Sequence, residues 1–330
     1  MPVSSIISGI GISVPKHVLT NNDLAERIDT SDEWIRTRTG IRERRIASED
    51  ETCSTLASQA ASTAIADAGL ELEDIDMVIV ATMTPDMPFP STACLVQAQL
   101  GLRSIPCFDV GAACSGFLYI LELGHALLQT GAYRHILLIG AEKLSSILNW
   151  QDRSTCVLFG DAAGAVVLSR SEQAGVGVIA CTNTANGQKA DLLKMPGGGS
   201  AMPASEASIQ SEAHFLTMQG REVFKAAIKF MEKSARTLLD EQGLTPDDLA
   251  CVIPHQANLR IIEVLSDRLD IPMSRFFINL DRYGNTSAAS IPVALAEARD
   301  AGSFTGGDTI LLLAFGAGFT WSAALIKWPS

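Results

Sequence analysis

Three residues of this chain have the types and settings of a nucleophilic site: Cys114, His255 and Asn285. Cys114 follows Asp109-Val110-Gly111-Ala112-Ala113, a short apolar strand ending in small residues, and precedes Ser115-Gly116-Phe117. Beyond it Phe117, Leu121, Leu123, Leu127 and Leu128 are too apolar all round for a surface helix, which predicts a buried helix with Cys114 on its first turn. The unpaired N–H groups and the positive dipole end of such a turn favour thiolate over thiol, so Cys114 is expected to be alkylated faster than the other six cysteines near neutral pH. His255 lies in Pro254-His255-Gln256-Ala257-Asn258, at the end of the buried strand Cys251-Val252-Ile253, where open α/β sheets place ligands. Asn285 lies in another turn of small residues, Gly284-Asn285-Thr286-Ser287, and taken alone reads as a helix cap. The other histidines, His17, His125, His135 and His214, have no companion motif and read as structural or surface residues.

A Cys/His/Asn set admits two chemistries. In a papain-like hydrolase the histidine is the base and the asparagine orients it. Against that, the chain lacks the Cys-Gly-Ser-Cys-Trp surroundings and secretory features. In an acyl-condensing enzyme the cysteine takes the acyl group while His and Asn donate hydrogen bonds to an enolate oxygen. The tetrahedral oxyanion then needs a second pair of donors, and Gly316-Ala317-Gly318 after a buried strand supplies backbone N–H groups that can approach closely.

The elements that must position these residues come from an internal repeat. Ala68-Gly69-Leu70 through Val80 is echoed by Gln242-Gly243-Leu244 through Pro254, each copy ending a long helix (Thr55–Ala68 and Val223–Gln242) at a glycine before a buried strand. Strand His135–Ile139 matches Thr309–Leu313, and Phe159-Gly160-Asp161 through Gly164 matches Phe315-Gly316-Ala317-Gly318. Two similar halves, residues 1–171 and 172–330, therefore alternate helices with buried strands, as sheets covered on both faces require. A shift of 171 residues sets Cys114 opposite Asn285, at the centre of a pseudo-twofold pair. Residues 3–12 read as a first strand, and residues 183–214, with Pro196-Gly197-Gly198-Gly199-Ser200, as a flexible loop region.

Composition narrows the classes. The chain has 330 residues, 47% hydrophobic, enough for two packed units. Its net charge of −12 argues against nonspecific nucleic-acid binding. No apolar run is long enough to span a membrane and no basic-then-apolar leader is seen, so a soluble cytoplasmic protein is expected. Seven cysteines without CxxC pairs suit a reducing compartment and speak against disulfides and zinc. Five arginines, 36, 38, 42, 44 and 45, form a basic island, read either as a solvated helix and turn with Glu33 and Glu43 as partners or as a site for a phosphorylated ligand.

Five motifs in order, Thr30-Ser31-Asp32-Glu33-Trp34-Ile35, Thr37-Arg38-Thr39-Gly40-Ile41-Arg42-Glu43-Arg44, Ala112-Ala113-Cys114-Ser115-Gly116-Phe117, Pro254-His255-Gln256-Ala257-Asn258-Leu259-Arg260 and Tyr283-Gly284-Asn285-Thr286-Ser287-Ala288-Ala289-Ser290, closely resemble the β-ketoacyl-acyl-carrier-protein synthase III family over essentially the whole chain. The resemblance implies the α/β thiolase fold, a five-layered α-β-α-β-α arrangement of two duplicated halves, and a homodimer. It implies that Cys114 accepts an acyl group from acyl-CoA, and that malonyl-acyl carrier protein then loses CO₂ and attacks the thioester. His255 and Asn285 would stabilise the enolate, and the N–H groups of Cys114 and Ala317 the oxyanion. No metal or redox cofactor is implied.

By the same resemblance Trp34 and Arg153 flank the CoA adenine, Thr30 and Arg38 contact the nucleotide and its phosphate, Asn258 meets the pantetheine arm, and Gly220 and Phe224 line the channel. Arg260, with Lys225 and Lys229, would grip the carrier protein, reversing locally the repulsion expected of an acidic chain. Phe89 would close the acyl pocket across the dimer and select a short primer such as acetyl. The residues alone make Trp34 a buried anchor. Three positions depart from the pattern: Ala317, Ala162 and Ser322 stand where glycine is common. A relative of secondary metabolism using other acyl-CoAs, a cysteine hydrolase and a noncatalytic carrier-binding protein are the alternative readings.

Overall fold

Strands that are apolar at nearly every position need cover on both faces, and two sheets of this chain are built from such strands. In the computed structural model, which describes residues 4–329, the first sheet runs β1 (Ser4–Ser13), β5 (Ala162–Ser171), β4 (His135–Glu142), β2 (Met77–Ala81), β3 (Cys107–Val110). The second runs β7 (Leu249–Pro254), β8 (Thr309–Gly316), β9 (Thr320–Lys327), β6 (Gly177–Ala185). Each joins a parallel part (β4-β2-β3, β7-β8) to an antiparallel edge (β5 and β1, β9 and β6). Residue 3 of the expected first strand lies outside the described residues.

Side chains alternate between layers. Met77, Ile79 and Ala81 enter the core between the sheets, with Ile253, Ile310 and Leu312 of the second sheet, while Val78 and Val80 face the opposite way. The middle layer is α3 (Gly116–Gln129) and α6 (Ser290–Asp300). Outside the first sheet lies α2 (Cys53–Asp67); outside the second lie α4 (Gly220–Gln242) and α5 (Leu259–Leu269). A smaller helix, α1 (Asp32–Thr39), packs against α5. The result is the five layers expected.

The repeat extends to its caps. Helices α2 and α4 are followed by left-handed glycines, Gly69 (φ 65°) and Gly243 (φ 66°), which only glycine adopts without strain. Single turns Leu72–Asp74 and Pro246–Asp248 follow, in which Asp74 and Asp248 accept the N–H groups of Glu71 and Thr245. The register differs from the expected 171. Gly243 lies 174 residues after Gly69, and Ser287 lies 174 after Ala113, the two sharing φ 48° in matched turns. Cys114 therefore corresponds to Ala288, and Asn285 stands three residues ahead of it.

Two other expectations are corrected. The region 183–214 is not a plain loop: it carries the end of β6, a turn at Gly187–Leu192, strand Leu193–Lys194 paired with Thr217–Met218, and helix Glu206–Gln210. Leu192 and Leu193 anchor it by packing on the outer core of the second sheet. The arginine island is divided. Arg44 is fully buried and donates to Leu19 O (3.0 Å), Asn21 Oδ1 (2.9 Å) and Val157 O (2.8 Å). Arg36 pairs with Asp32 and Arg45 lies 4.0 Å from Glu43. Of the departures, Ala162 fits fully buried, while Ser322 buries a hydroxyl that has no partner among the described residues.

Arg44 serves the fold by satisfying three acceptors that water does not reach. Arg44→Met keeps the stem and strands them, at an expected cost of about 3 kcal/mol or more, read as a lower urea midpoint. An unchanged midpoint would contradict that role.

Candidate active site

Cys114 sits in a tight turn, Ala113–Ser115, between β3 and α3, and is 8% exposed. Ala113, at φ 48°, occupies backbone space that non-glycine residues avoid. The end of β8 closes over this turn: a Cβ on Gly316 would lie 2.7 Å from Cys114 N and 3.1 Å from Ser115 N. Glycine at 316 thus leaves the backbone N–H of Cys114 open. Thr320 Oγ1 donates to Ala112 O at 3.0 Å, tying the β8–β9 turn, which carries Ala317, to the turn of Cys114. Ala317 is outside the left-handed region, so its methyl group costs no backbone strain.

The thiol is not activated at rest as the sequence suggested. Burial pushes it up to about 12, the neighbouring Ser287 side chain lowers it and the nearby Glu142 carboxyl raises it. Desolvation outweighs the turn's N–H groups because almost no water reaches the sulfur. Of the seven free cysteines Cys94 is the exposed one.

His255 and Asn285 are 4% and 7% exposed. His255 N donates to Leu313 O at 2.7 Å, locking the residue to β8, and its Nδ1 lies 2.6 Å from Ser290 Oγ. Burial pushes the imidazole down to about 3, so it is neutral. A ring protonated on Nε2 accepts the Ser290 hydroxyl at Nδ1 and keeps its Nε2–H to donate. Gln256 pins the same turn through Pro254 O, Phe277 O and Asn279 N. Asn285 Oδ1 accepts the Ser287 N–H at 2.9 Å. A backbone N–H can only donate, so the other end of the amide is its NH₂ group.

Cys114, His255 and Asn285 all line one cavity of about 320 Å³. Trp34, Arg38, Arg153, Gly220, Phe224 and Asn258 line it too. Arg38 and Arg153 each place their guanidinium 4.6 Å from the centre of the Trp34 ring. Trp34 is half-buried at the cavity rather than a core anchor. Asn258 caps α5 by accepting Arg260 N at 2.9 Å and donates to Arg38 O at 3.1 Å. A second cavity of about 180 Å³ adjoins the thiol, lined by Cys114, Ala317 and apolar side chains such as Met83, Leu144 and Leu216.

Thr30 lines neither cavity, though its buried hydroxyl has no partner among the described residues. Arg260, Lys225 and Lys229 lie on the exposed surface of α4 and α5. Phe89 is 83% exposed and outside both cavities of the single chain. Sequence reasoning missed Glu142, an acid closing the wholly apolar run of β4, and Arg221 and Lys233, which extend Lys225 and Lys229 into a four-residue period on α4. Among the described residues no group of three or more His, Cys, Asp or Glu is placed to hold a metal ion, and no helix is long and apolar enough to cross a membrane.

Comparison with known proteins shows the family. The family described as 3-oxoacyl-[acyl-carrier-protein] synthase III matches residues 108–187, and its C-terminal counterpart matches residues 239–328. The β-ketoacyl-[acyl-carrier-protein] synthase III of Caldanaerobacter subterraneus subsp. tengcongensis is 51% identical over 326 residues, 99% of this chain and 98% of the relative. The crystal structure of 3-oxoacyl-[acyl-carrier-protein] synthase III from Aquifex aeolicus is 48% identical and superposes with a TM-score of 0.91, covering 98% of this chain and 100% of the other. That of the Thermus thermophilus synthase is 46% identical with a TM-score of 0.90, over 98% and 99%.

The state of His255 is testable by pH. The folded protein keeps the ring neutral while the unfolded chain takes up a proton near pH 6.5, so the unfolded state binds more protons as pH falls below that value. Stability conferred at neutral pH is therefore lost toward pH 3, at a rate on the order of 1 kcal/mol per pH unit. Relative to His255→Gln, the wild type should lose stability between pH 7 and pH 5 in urea unfolding; a difference independent of pH would contradict the neutral buried ring.

Proposed function

The chain belongs to the 3-oxoacyl-[acyl-carrier-protein] synthase III family, and we propose how its own residues carry out the reaction. It is an acyltransferase that starts fatty-acid synthesis by condensing an acyl primer with a carrier-protein thioester. The observation that carries the assignment of roles is the opening of Cys114, His255 and Asn285 into one cavity beneath the end of β8. Cys114 Sγ attacks the acyl-CoA carbonyl, and the N–H groups of Cys114 and Ala317 receive the oxyanion. CoA leaves, and malonyl-acyl carrier protein enters the same cavity. The neutral His255, through Nε2–H, and the Asn285 NH₂ donate to the enolate oxygen as CO₂ departs, and the carbanion attacks the Cys114 thioester. In a dry site each such donor contributes about 3 kcal/mol to the transition state. None of these steps calls on a cofactor.

Trp34 and Arg153 take the adenine between them. Because Arg153 now rests on the ring and donates to Asp29 O, binding requires it to move off by the thickness of a base. Arg38 and Thr30 contact the nucleotide, Asn258 spends its second N–H on pantetheine, and Gly220 and Phe224 line the channel. The exposed stripe Arg221, Lys225, Lys229, Lys233, beside Arg260 at the start of α5, receives the acidic carrier protein. Phe89 and Met87 form an exposed apolar tip on a loop whose Asp86 accepts Ser54 N (2.8 Å) and Ser54 Oγ (2.6 Å). A fixed apolar tip fits burial against a second copy of the chain, where Phe89 closes the acyl cavity. That cavity, about 180 Å³, suits a short primer. The halves divide near 171/172, and seven free thiols suit the cytosol.

Intact-protein mass spectrometry with acetyl-CoA should show one acetyl group on Cys114, discharged by malonyl-acyl carrier protein as acetoacetyl-carrier protein appears. No adduct with any acyl-CoA would overturn the assignment of Cys114. Acetyl-CoA should give the higher kcat/KM against octanoyl-CoA; the reverse order would remove the short-primer reading. Reversing charge at Lys229 and Arg260 should raise KM for malonyl-acyl carrier protein about tenfold or more and leave Cys114 acetylation rates within twofold. Equal losses in both half-reactions would refute the carrier-protein surface.

A further inference from the structure

Glu142 is a fully buried carboxyl that the roles above do not use. It ends β4, where a Cβ on Gly140 would lie 2.2 Å from Ala288 O, so the strand end rests directly on the turn Ser287–Ala289. That contact brings the carboxyl to Ser287, whose Oγ donates to Glu142 Oε1 at 3.0 Å. Ser287 and Cys114 line the same cavity, on turns that pack against each other. One hydroxyl, bonded to a buried acid, thus stands beside the thiol.

The other groups that hold Glu142 are neutral. Thr84 Oγ1 donates at 2.6 Å, Thr82 Oγ1 at 3.3 Å and Met83 N at 3.1 and 3.3 Å. Cys53 on α2 faces the carboxyl through Thr82, at 3.3 Å from Thr82 Oγ1, and Asp86 and Asp109 lie farther out toward Cys53. The adjacent Lys143 turns its Nζ away to Ser48 O and Glu51 O. No cation therefore reaches this pair from the elements described, and burial raises both Glu142 and Cys114. Two adjacent buried anions repel, so the pair favours a single charge.

We propose that Glu142 takes the Cys114 proton through Ser287, so that thiol and carboxyl share one negative charge and Glu142 rather than His255 makes the nucleophile. This deepens the reading of Cys114 as the acylated residue and rests on it. The S–H bond of Cys114 breaks as Ser287 Oγ accepts that proton and passes its own to Glu142, forming an O–H bond. The thiolate attacks the thioester; the C–S bond to CoA breaks and the departing thiolate takes up one proton, which restores the Glu142 carboxylate. Glu142 does not touch the sulfur and acts as a positioning residue through Ser287.

A shared proton has a signature that a structural role lacks. The forms Cys–SH/Glu⁻ and Cys–S⁻/GluH hold the same number of protons, so the thiolate fraction is independent of pH wherever the pair carries one charge. Iodoacetamide alkylation of the whole protein, with Cys114 followed by peptide mass spectrometry from pH 5 to 10, should show a flat window and then a rise. Glu142→Gln should replace the window with a rise of about tenfold per pH unit. Ser287→Ala should do the same, and Ala113 shows that alanine fits the φ of 48° in the matching turn. His255→Gln should keep the window. A wild type without a flat window, a Glu142→Gln variant that retains it, or its loss in His255→Gln alone would each overturn the proposal. Alkylation needs no acyl-CoA, so these outcomes are separate from a failure of acetylation.

Discussion

The site depends on backbone meeting backbone at the centre of the molecule. The end of β4 meets Ala288 O at Gly140, and the end of β8 meets Cys114 N at Gly316, each too close for a Cβ. Between these contacts lie two matched turns held at the same strained φ, one carrying Cys114 and the other following Asn285. Side-chain packing tolerates shifts of a few tenths of an ångström, whereas such backbone contacts leave no slack. Cys114 and Asn285 are thereby placed by the main chain of the two sheets, the rigid kind of support that the proposed catalytic geometry requires.

Dryness follows from the same contacts, and it decides the electrostatics. His255 is held neutral and the Cys114 thiol is held protonated at rest. In the reaction proposed for this site a neutral imidazole is the better partner for an enolate formed next to a carboxylate that must leave as CO₂, because a fixed positive charge would also hold the departing carboxylate. The cations of the pocket, Arg38 and Arg153, are exposed at its mouth. This separation matches a ligand whose phosphates are charged and whose reacting thioester is not.

Much of this was legible in the sequence, and the failures have physical causes. The repeat and the buried strands followed from apolar runs and glycine stops, and the meeting of Cys114, His255 and Asn285 at one cavity from strand ends, all local signals. The twofold shift of 171 was off by three, although Gly69 and Gly243 already marked an offset of 174. Arg44 read as part of either a solvated face or a ligand site because a charge in sequence carries no mark of burial; Leu19, Asn21 and Val157, distant in sequence, make it structural. The thiol's state was misjudged because a helix start is visible in sequence and desolvation is not. Glu142 was overlooked although an acid at the end of Ile136–Ala141 has no bland explanation: a carboxylate in so apolar a strand must find donors, and it finds them on Thr82, Met83, Thr84 and Ser287.

The surface of α4 argues from cost. Arg221, Lys225, Lys229 and Lys233 repeat at a spacing of four, which places like charges next to one another and disfavours the helix by a few tenths of a kcal/mol per pair. Glu222 offsets one of them at 3.1 Å from Lys225 Nζ. The helix tolerates the rest because Ala227, Met231, Ala235 and Leu238 bury its other face against the second sheet. Folding therefore leaves the exposed face free, and in a chain with a net charge of −12 a concentrated basic stripe works against the overall field. The stripe lies on the same helix as Gly220 and Phe224, which line the cavity, and this is the position the proposed docking of an acidic carrier needs.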